Sequence, residues 1–431
     1  MPEIQPLRAW RYAGARQDLT PLIAPPYDVI GPELDNELRV RDPHNVVRLI
    51  LPRDREGQPD SRYQAAREEL ESWGGSGVMA QDAEPGFYPY RQTYRKEGRD
   101  EAARVGFLGL LRLEPFGASV MAHEHTLEGP RQDRFRLLQA THANLSPVFV
   151  LFQDPGEKVR SLLEASMKEP AAQHAARMQG ETDELWRMQD PAACAALAEA
   201  IRTQPLVFAD GHHRYESALG YLESLRAAGK DPGSAAYILA YFAPVPQPGL
   251  SILPTHRVVH GMSRDATAGL EARLGRHFQV TPVANWKHKD ELAQWEAGIR
   301  SRPEVVFGMA LRGSHQLHEL TLKPGAAAEA LAGVQPPLEE LDVTVLHEGV
   351  LKPYFGIGAE ELKRQTSVRY LHESLEALFE LDGDADAVFL LRPTPIESVF
   401  KIAGAGLRMP QKSTFFYPKL ATGFVIHRHS A

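Results

Sequence analysis

Residues 205–221 read PLVFADGHHRYESALGY. The apolar run Leu206-Val207-Phe208 stops at Asp210-Gly211, and Leu219, Leu222 and Leu225 then recur at helical spacing. Such a stretch reads as a strand, a tight turn and a helix start. The first turn of a helix offers N–H groups without intrahelical partners, together with the positive end of the macrodipole. Placing His212, His213 and Arg214 at that mouth predicts an anion site, a phosphate above all. On the alternative reading Asp210 is an ordinary helix cap and the histidines are surface residues.

Working outward, 431 residues predict two or three domains of about 150 residues each. A hydrophobic content of 43% and a charged content of 24% fit a soluble protein with a sizeable core. The net charge of -8 argues against a protein that coats nucleic acid, since such domains are usually basic. Cys194 is the only cysteine, which excludes an intramolecular disulfide and a multi-cysteine zinc site; its alanine neighbours mark a small buried residue. The first residues lack the basic start and apolar core of a signal peptide, and no apolar run approaches about 18 residues. No membrane span and a cytoplasmic setting are therefore expected.

Strand and helix signals alternate along the chain, which predicts α/β or mixed α+β layers. Strands are expected at 46–51, 86–94, 104–113, 148–152, 237–242 and 387–391, with a β-hairpin over 301–324 turning at Gly313-Ser314. Helices are expected at 61–73, where Tyr63, Ala66, Leu70 and Trp73 share a face, and at 159–167, 263–276, 341–351 and 367–381.

Four further polar clusters interrupt apolar surroundings. In Ala24-Pro25-Pro26-Tyr27-Asp28-Val29-Ile30, two prolines fix the backbone and Asp28 sits before a helix start at Pro32, as a cap or as a site residue. His123-Glu124-His125-Thr126 would, in a strand, project His123 and His125 to one face, where they could chelate a metal. Glu124 between them is a candidate general base. Thr255-His256-Arg257 is read as a cationic strand exit. Met409 to Lys419 contains Lys412-Ser413-Thr414, but the glycines of a P-loop are missing before it. Neither G-x-G-x-x-G nor G-x-S-x-G occurs, which removes support for a dinucleotide fold and for the usual serine hydrolase.

Taken together these clusters, with Asn45-Val46-Val47-Arg48-Leu49, Asp133-Arg134, Asn144, Ser146-Pro147 and Leu341-Asp342-Val343, resemble the domain of unknown function 1015 family over nearly the whole chain. Ala209 to Glu216 is the most specific part of that pattern. More distantly, Asp210-Gly211-His212-His213-Arg214 resembles the nucleotide-binding turn of the ParB/sulfiredoxin superfamily. The resemblance implies an α/β (α+β mixed) fold: a ParB/sulfiredoxin-like nucleotide-binding core with large insertions over 1–260 and a C-terminal α+β region over 261–431. Histidines stand where sulfiredoxin needs a cysteine, which removes sulfinic acid reduction. What the resemblance then implies is a nucleotide-dependent kinase using ATP or ADP and Mg2+ on a small hydroxyl compound, with free L-serine as the nearest analogue.

On that reading Gly211 lets phosphates approach the backbone, main-chain N–H groups at His212 and His213 hold them with Arg214, and Asp210 binds Mg2+ or orients the acceptor hydroxyl. Glu124 takes the proton. Arg48, His256, Arg257 and Lys412 are further phosphate neighbours, and Asp28, His123, Thr126, Tyr215 and Glu216 support the substrate. The alternatives are a module that senses a nucleotide or phosphorylated metabolite without catalysis, and a metal-dependent hydrolase using His123, His125, His212, His213 and Asp210. No nucleic acid or membrane partner is expected.

Overall fold

The computed structural model of the chain describes residues 1–14, 18–95, 101–126, 128–168, 174–364 and 366–430. The mixed α/β class expected from the alternation of signals is the class observed. The chain forms two compact units, one of residues 1–122, 126–251 and 418–431, the other of residues 123–125 and 252–417. The division is not the contiguous 1–260 and 261–431 of the sequence reading: a short segment around Glu124 joins the second unit, and the last 14 residues return to the first.

Unit 1 is built on a mixed sheet. Its strands are β1 (Ile4–Gln5), β2 (Tyr88–Arg95), β3 (Glu101–Arg112), β4 (Val120–Met121), β5 (Val148–Gln153), β6 (His174–Met178), β7 (Glu181–Leu185), β8 (Leu206–Asp210) and β9 (Tyr237–Val245). Their order is β4-β8-β5-β9-β3-β2-β7-β6, with β1 also on β3. Because strand side chains alternate between faces, Val148, Val150, Phe152, Phe208, Phe107 and Phe242 share one core. Phe149 and Tyr241, directly paired, belong to the other face. The helices that matter for the site are α1 (Pro32–Arg41), α2 (Val47–Ile50), α3 (Arg62–Gly75), α4 (Glu128–Thr141) and α5 (His212–Ala227).

Unit 2 holds an antiparallel sheet of β10 (His256–His260), β11 (Phe278–Asn285), β12 (Val306–Leu311), β13 (Gln316–Leu322), β14 (Val368–Leu371) and β15 (Ala385–Leu390), in the order β11-β13-β12-β15-β10-β14. Trp286, Trp295, Val306, Leu317 and Val388 form its core. No helix among the described residues is long and apolar enough to cross a membrane.

Where sequence and structure differ, local polar chemistry and tertiary burial explain why. The run at 46–51 is the short helix α2, not a strand. Asn45 accepts from Val47 N at 2.9 Å while its amide donates to Pro21 O and Ile23 O at 2.9 and 3.0 Å. This side chain starts a turn that a short apolar run cannot announce by periodicity. The helix expected at 367–381 is split into β14 and a helix over Ser374–Phe379, because Val368–Leu371 pairs with β10 along the sheet edge. The helix expected at 263–276 is two short helices, Arg264–Thr267 and Leu270–Leu274, parted at Gly269, whose φ is 61°.

Candidate functional site

Strand β8 ends at Asp210, Gly211 turns the chain with φ 90° and ψ 20°, and α5 begins at His212. Tyr215 N to Gly211 O, 3.0 Å, is the first helical bond. A Cβ at Gly211 would lie 3.0 Å from Val148 Cγ1 and 3.1 Å from both Val148 Cα and Arg214 Nη2. Only glycine combines this left-handed turn with so close a neighbour. The strand–turn–helix expected from 205–221 is therefore what positions the mouth.

Charged groups surround it. Asp210 Oδ1 accepts from Gly211 N at 2.6 Å and Oδ2 accepts from Lys419 Nζ at 2.8 Å. Arg214 Nη2 stands 3.8 Å from Asp210 Oδ1, and Arg214 Nη1 donates to Ser146 Oγ at 3.2 Å and to Pro147 O. Arg134, on α4, donates to Ile50 O at 2.7 Å and is braced by Asp133, which also accepts from Tyr63 OH at 2.8 Å. The Tyr27 ring lies under the Arg134 guanidinium, 4.1 Å from its centroid. Burial pushes the Tyr27 hydroxyl up to about 12; the charges of Asp28 and Asp210 add to the rise, and those of Arg134 and Arg214 oppose it. One phenol thus feels both arginines and both aspartates.

A cavity of about 40 Å3 is lined by Arg134 and Arg214, by Asn144, Ser146 and Ser217, and by the apolar Ile50, Leu137, Leu138, Ala143, Leu145 and Ile238. At about 10–15 Å3 per water-sized group this holds roughly three such groups, the scale of one phosphoryl group and not of a whole nucleotide.

Other residues singled out in unit 1 have different surroundings. His212 is buried with its ring against Phe208 and Phe116, at 5.4 and 6.4 Å, so its side chain packs into the core and only its main chain faces the turn. Tyr215 is also a core residue: its hydroxyl donates to Glu114 O at 2.8 Å and accepts from Glu114 N at 3.1 Å, and burial holds it far above its ordinary range. Glu216 accepts from Thr126 Oγ1 at 2.6 Å. Arg48 donates to Arg39 O, at the end of α1, at 3.2 Å. Asp28 is exposed on the single 3-10 turn Tyr27–Val29.

The remaining predicted site residues belong to unit 2. His123 and His125 do not share a strand face: His123 is fully buried, His125 is exposed, and only Glu124 forms a bridge, with Met409. Glu124 Oε1 accepts from Ser413 N and Thr414 N, both at 3.0 Å, and from Thr414 Oγ1 at 3.1 Å; His123 Nε2 lies 2.7 Å from the same hydroxyl. Lys412 has φ 57°, and a left-handed residue followed by two converging N–H groups is an anion nest. Here the nest holds the chain's own carboxylate.

His256 and Arg257 open β10 and are buried. Arg257 donates to Lys412 O at 3.0 Å and to His347 Nε2 at 3.2 Å. Burial pushes Arg257 down to about 10, so it stays charged at neutral pH.

Burial also pushes His256 down to about 3 and His347 well below its ordinary value. The unfolded chain then binds protons below about 6.5 that the folded unit does not. Unit 2 is expected to hold its full stability above that pH and to lose it on acidification, by about 1.4 kcal/mol per pH unit for each such histidine. Urea denaturation between pH 7 and 4.5 checks this, and His256→Asn should flatten the slope.

Among the described residues no three His, Cys, Asp or Glu side chains gather so that they could hold a metal ion. The expected set His123, His125, His212, His213 and Asp210 is divided between the units.

No curated protein matches the chain. A family model described as "Protein of unknown function (DUF1015)" matches residues 4–344. The chain belongs to this family. Similar solved structures include a conserved hypothetical protein from Pyrococcus furiosus, 12% identical with a TM-score of 0.34, covering 72% of this chain and 92% of that one. A mutant free serine kinase in complex with ADP is 10% identical with a TM-score of 0.36, covering 71% and 90%. SbnI with a C-terminal truncation, from Staphylococcus aureus, is 13% identical with a TM-score of 0.36, covering 74% and 87%.

In this DUF1015 chain the residues that carried the family resemblance sort by unit. Tyr27, Asp28, Asn45, Asp133, Arg134, Asn144, Ser146 and Ala209 to Glu216 lie in unit 1; His123, Glu124, Thr255 to Arg257 and Asp342 lie in unit 2. Asp342 pairs with Arg392 at 2.7 Å and is structural. Sequence reasoning gave no site role to Arg134 or Tyr27 and named Lys419 without a partner. Arg134 lies inside a helix and Lys419 is 209 residues from Asp210, so no local motif marks either.

Proposed function

We infer that unit 1 binds the phosphate end of a nucleotide or phosphorylated metabolite at the Gly211 mouth, and that the protein uses it to transfer a phosphoryl group to a small hydroxyl compound such as free L-serine. One observation carries this reading: two arginines from different elements, Arg134 and Arg214, line one phosphoryl-sized cavity, and Arg214 stands in the first turn of α5. A helix mouth supplies N–H donors and positive potential, and arginine is suited to phosphate oxygens. Phosphoryl transfer asks mainly for positioning and charge neutralisation, which Arg134, Arg214 and Lys419 supply. The cavity takes the phosphate, and the rest of the ligand lies outside it.

Asp210 fits Mg2+ poorly. Its Oδ2 already holds the Lys419 ammonium at 2.8 Å and its Oδ1 the Gly211 amide at 2.6 Å, so a cation would have to displace Lys419. ADP or ATP binding measured by calorimetry is expected to survive EDTA; binding that vanishes with the metal removes this assignment of charge neutralisation to the arginines and Lys419.

The engaged carboxylate equally favours a second reading, a sensor that binds without turnover. Asp210→Asn separates the two. A kinase keeps affinity for ADP or ATP and loses phosphorylation of pooled amino acids and polyols, whereas a sensor has no turnover to lose. Glu124→Gln tests the second carboxylate in the same assay. Pure protein that binds no nucleotide and no phosphorylated metabolite refutes both.

A further inference from the structure

The sheet face opposite the Phe208 core carries a row of polar side chains that the mouth itself does not explain. Gln92 is the strand partner of Arg104 on β3 and of Asp183 on β7, and all three are 0% exposed. Tyr90 OH donates to Asp183 Oδ1 at 2.6 Å, and Arg104 Nη2 donates to Gln92 Oε1. The Arg104 guanidinium lies over the rings of Phe149 and Tyr241, 4.8 and 5.6 Å from their centroids. Phe149 is the strand partner of both Tyr241 and Asp210, so the row runs across the sheet to the end of β8. From its middle Gln92 Nε2 donates to Lys419 O at 2.9 Å, and Lys419 Nζ meets Asp210 at 2.8 Å.

Stability does not account for this row. Arg104 Nε and Nη1 and Asp183 Oδ2 lack a hydrogen-bond partner among the described residues. A buried ionic network is often no more stable than a well-packed apolar one of the same volume, although removing one member leaves the others uncompensated. What the row does accomplish is to grip the backbone of one lysine from below, with a glutamine whose other end is fixed by a rigid fork.

We propose that Gln92 and Arg104 are positioning residues that set Lys419 against Asp210 at the anion mouth. The role of that lysine rests on the function inferred above, but its placement does not, and the two can be tested apart. Full-length Arg104→Met, Gln92→Leu and Gln92→Glu serve. The last keeps an acceptor for Arg104 and removes the donor to Lys419.

The first measurement is acetylation of Lys419 by limiting acetic anhydride in ligand-free protein, read by peptide mass spectrometry against Lys352 and Lys287. All three variants should acetylate Lys419 roughly 3- to 10-fold faster, the span of one hydrogen bond's net worth. The reference lysines should not change, while the melting temperature of Arg104→Met should fall, because the buried Asp183 loses the charge that offsets its burial. The second measurement is ADP affinity, which should fall by a similar factor.

Unchanged Lys419 reactivity overturns the proposal. So does a rise shared by all lysines, which is general loosening. Should the native chain bind no ADP while the variants still expose Lys419, the anion reading fails and the positioning stands.

Discussion

Arg214→Met is expected to weaken ADP binding roughly 10- to 100-fold, because a hydrogen bond to a charged group contributes about 1.5–3 kcal/mol. The effect should be similar for inorganic phosphate and for ADP, since the cavity between Arg134 and Arg214 accommodates about one phosphoryl group. Arg134→Met should act in the same direction, and the double variant should lose less than the sum of the two, because two cations sharing one anion are coupled. Calorimetric titration at fixed ionic strength measures all three, with salt held constant because exposed charge contacts are screened. Arg214 also ties down Ser146 and Pro147, so some fall in stability accompanies its loss. The ratio of affinity change to stability change separates binding from folding. Native-like affinity in Arg214→Met places the anion elsewhere.

The second large effect is at Gly211. With φ at 90°, any L side chain there costs about 1–3 kcal/mol of backbone strain. A Cβ would also press on Val148 Cα at 3.1 Å, which is backbone and cannot swing aside. Gly211→Ala should therefore lower the unfolding free energy of unit 1 by at least this strain and remove measurable phosphate binding, because relief of the contact shifts the first turn of α5, and Arg214 with it, away from Arg134. Gly211→Asn tolerates the left-handed turn better, yet carries the same Cβ. It should recover part of the stability and none of the binding. Urea denaturation with calorimetry on both variants checks this, and intact phosphate binding in Gly211→Ala would sink the proposed mouth.

What could be read in advance follows the range of the forces involved. Leu206 to Phe208 ending at Asp210-Gly211 announces a strand and turn because a short apolar run and a glycine act over a few residues. Tyr63, Ala66, Leu70 and Trp73 announce α3 for the same reason, and all four are buried. The apolar run at 46–51 misleads because a short buried helix and a short buried strand have the same composition. The amide of Asn45, reaching Pro21 and Ile23, decides between them. His256 and Arg257 read in the sequence as a cationic cluster; in the fold one is a neutral buried imidazole and the other a buried cation held by carbonyls and His347.

The sequence by itself determined the class of the fold, the strand–turn–helix at 205–221 and the family. Each is set by backbone conformation or by side-chain spacing within one element. Tertiary structure alone decided which groups meet there: Arg134 from α4, Lys419 from the returning C-terminal segment, Tyr27 from a proline-fixed turn, and not the ring of His212. It also turned Glu124 into the occupant of an anion nest. Electrostatic attraction acts through space, over a few ångströms between groups hundreds of residues apart in the chain, and such distances exist only once the sheet has formed.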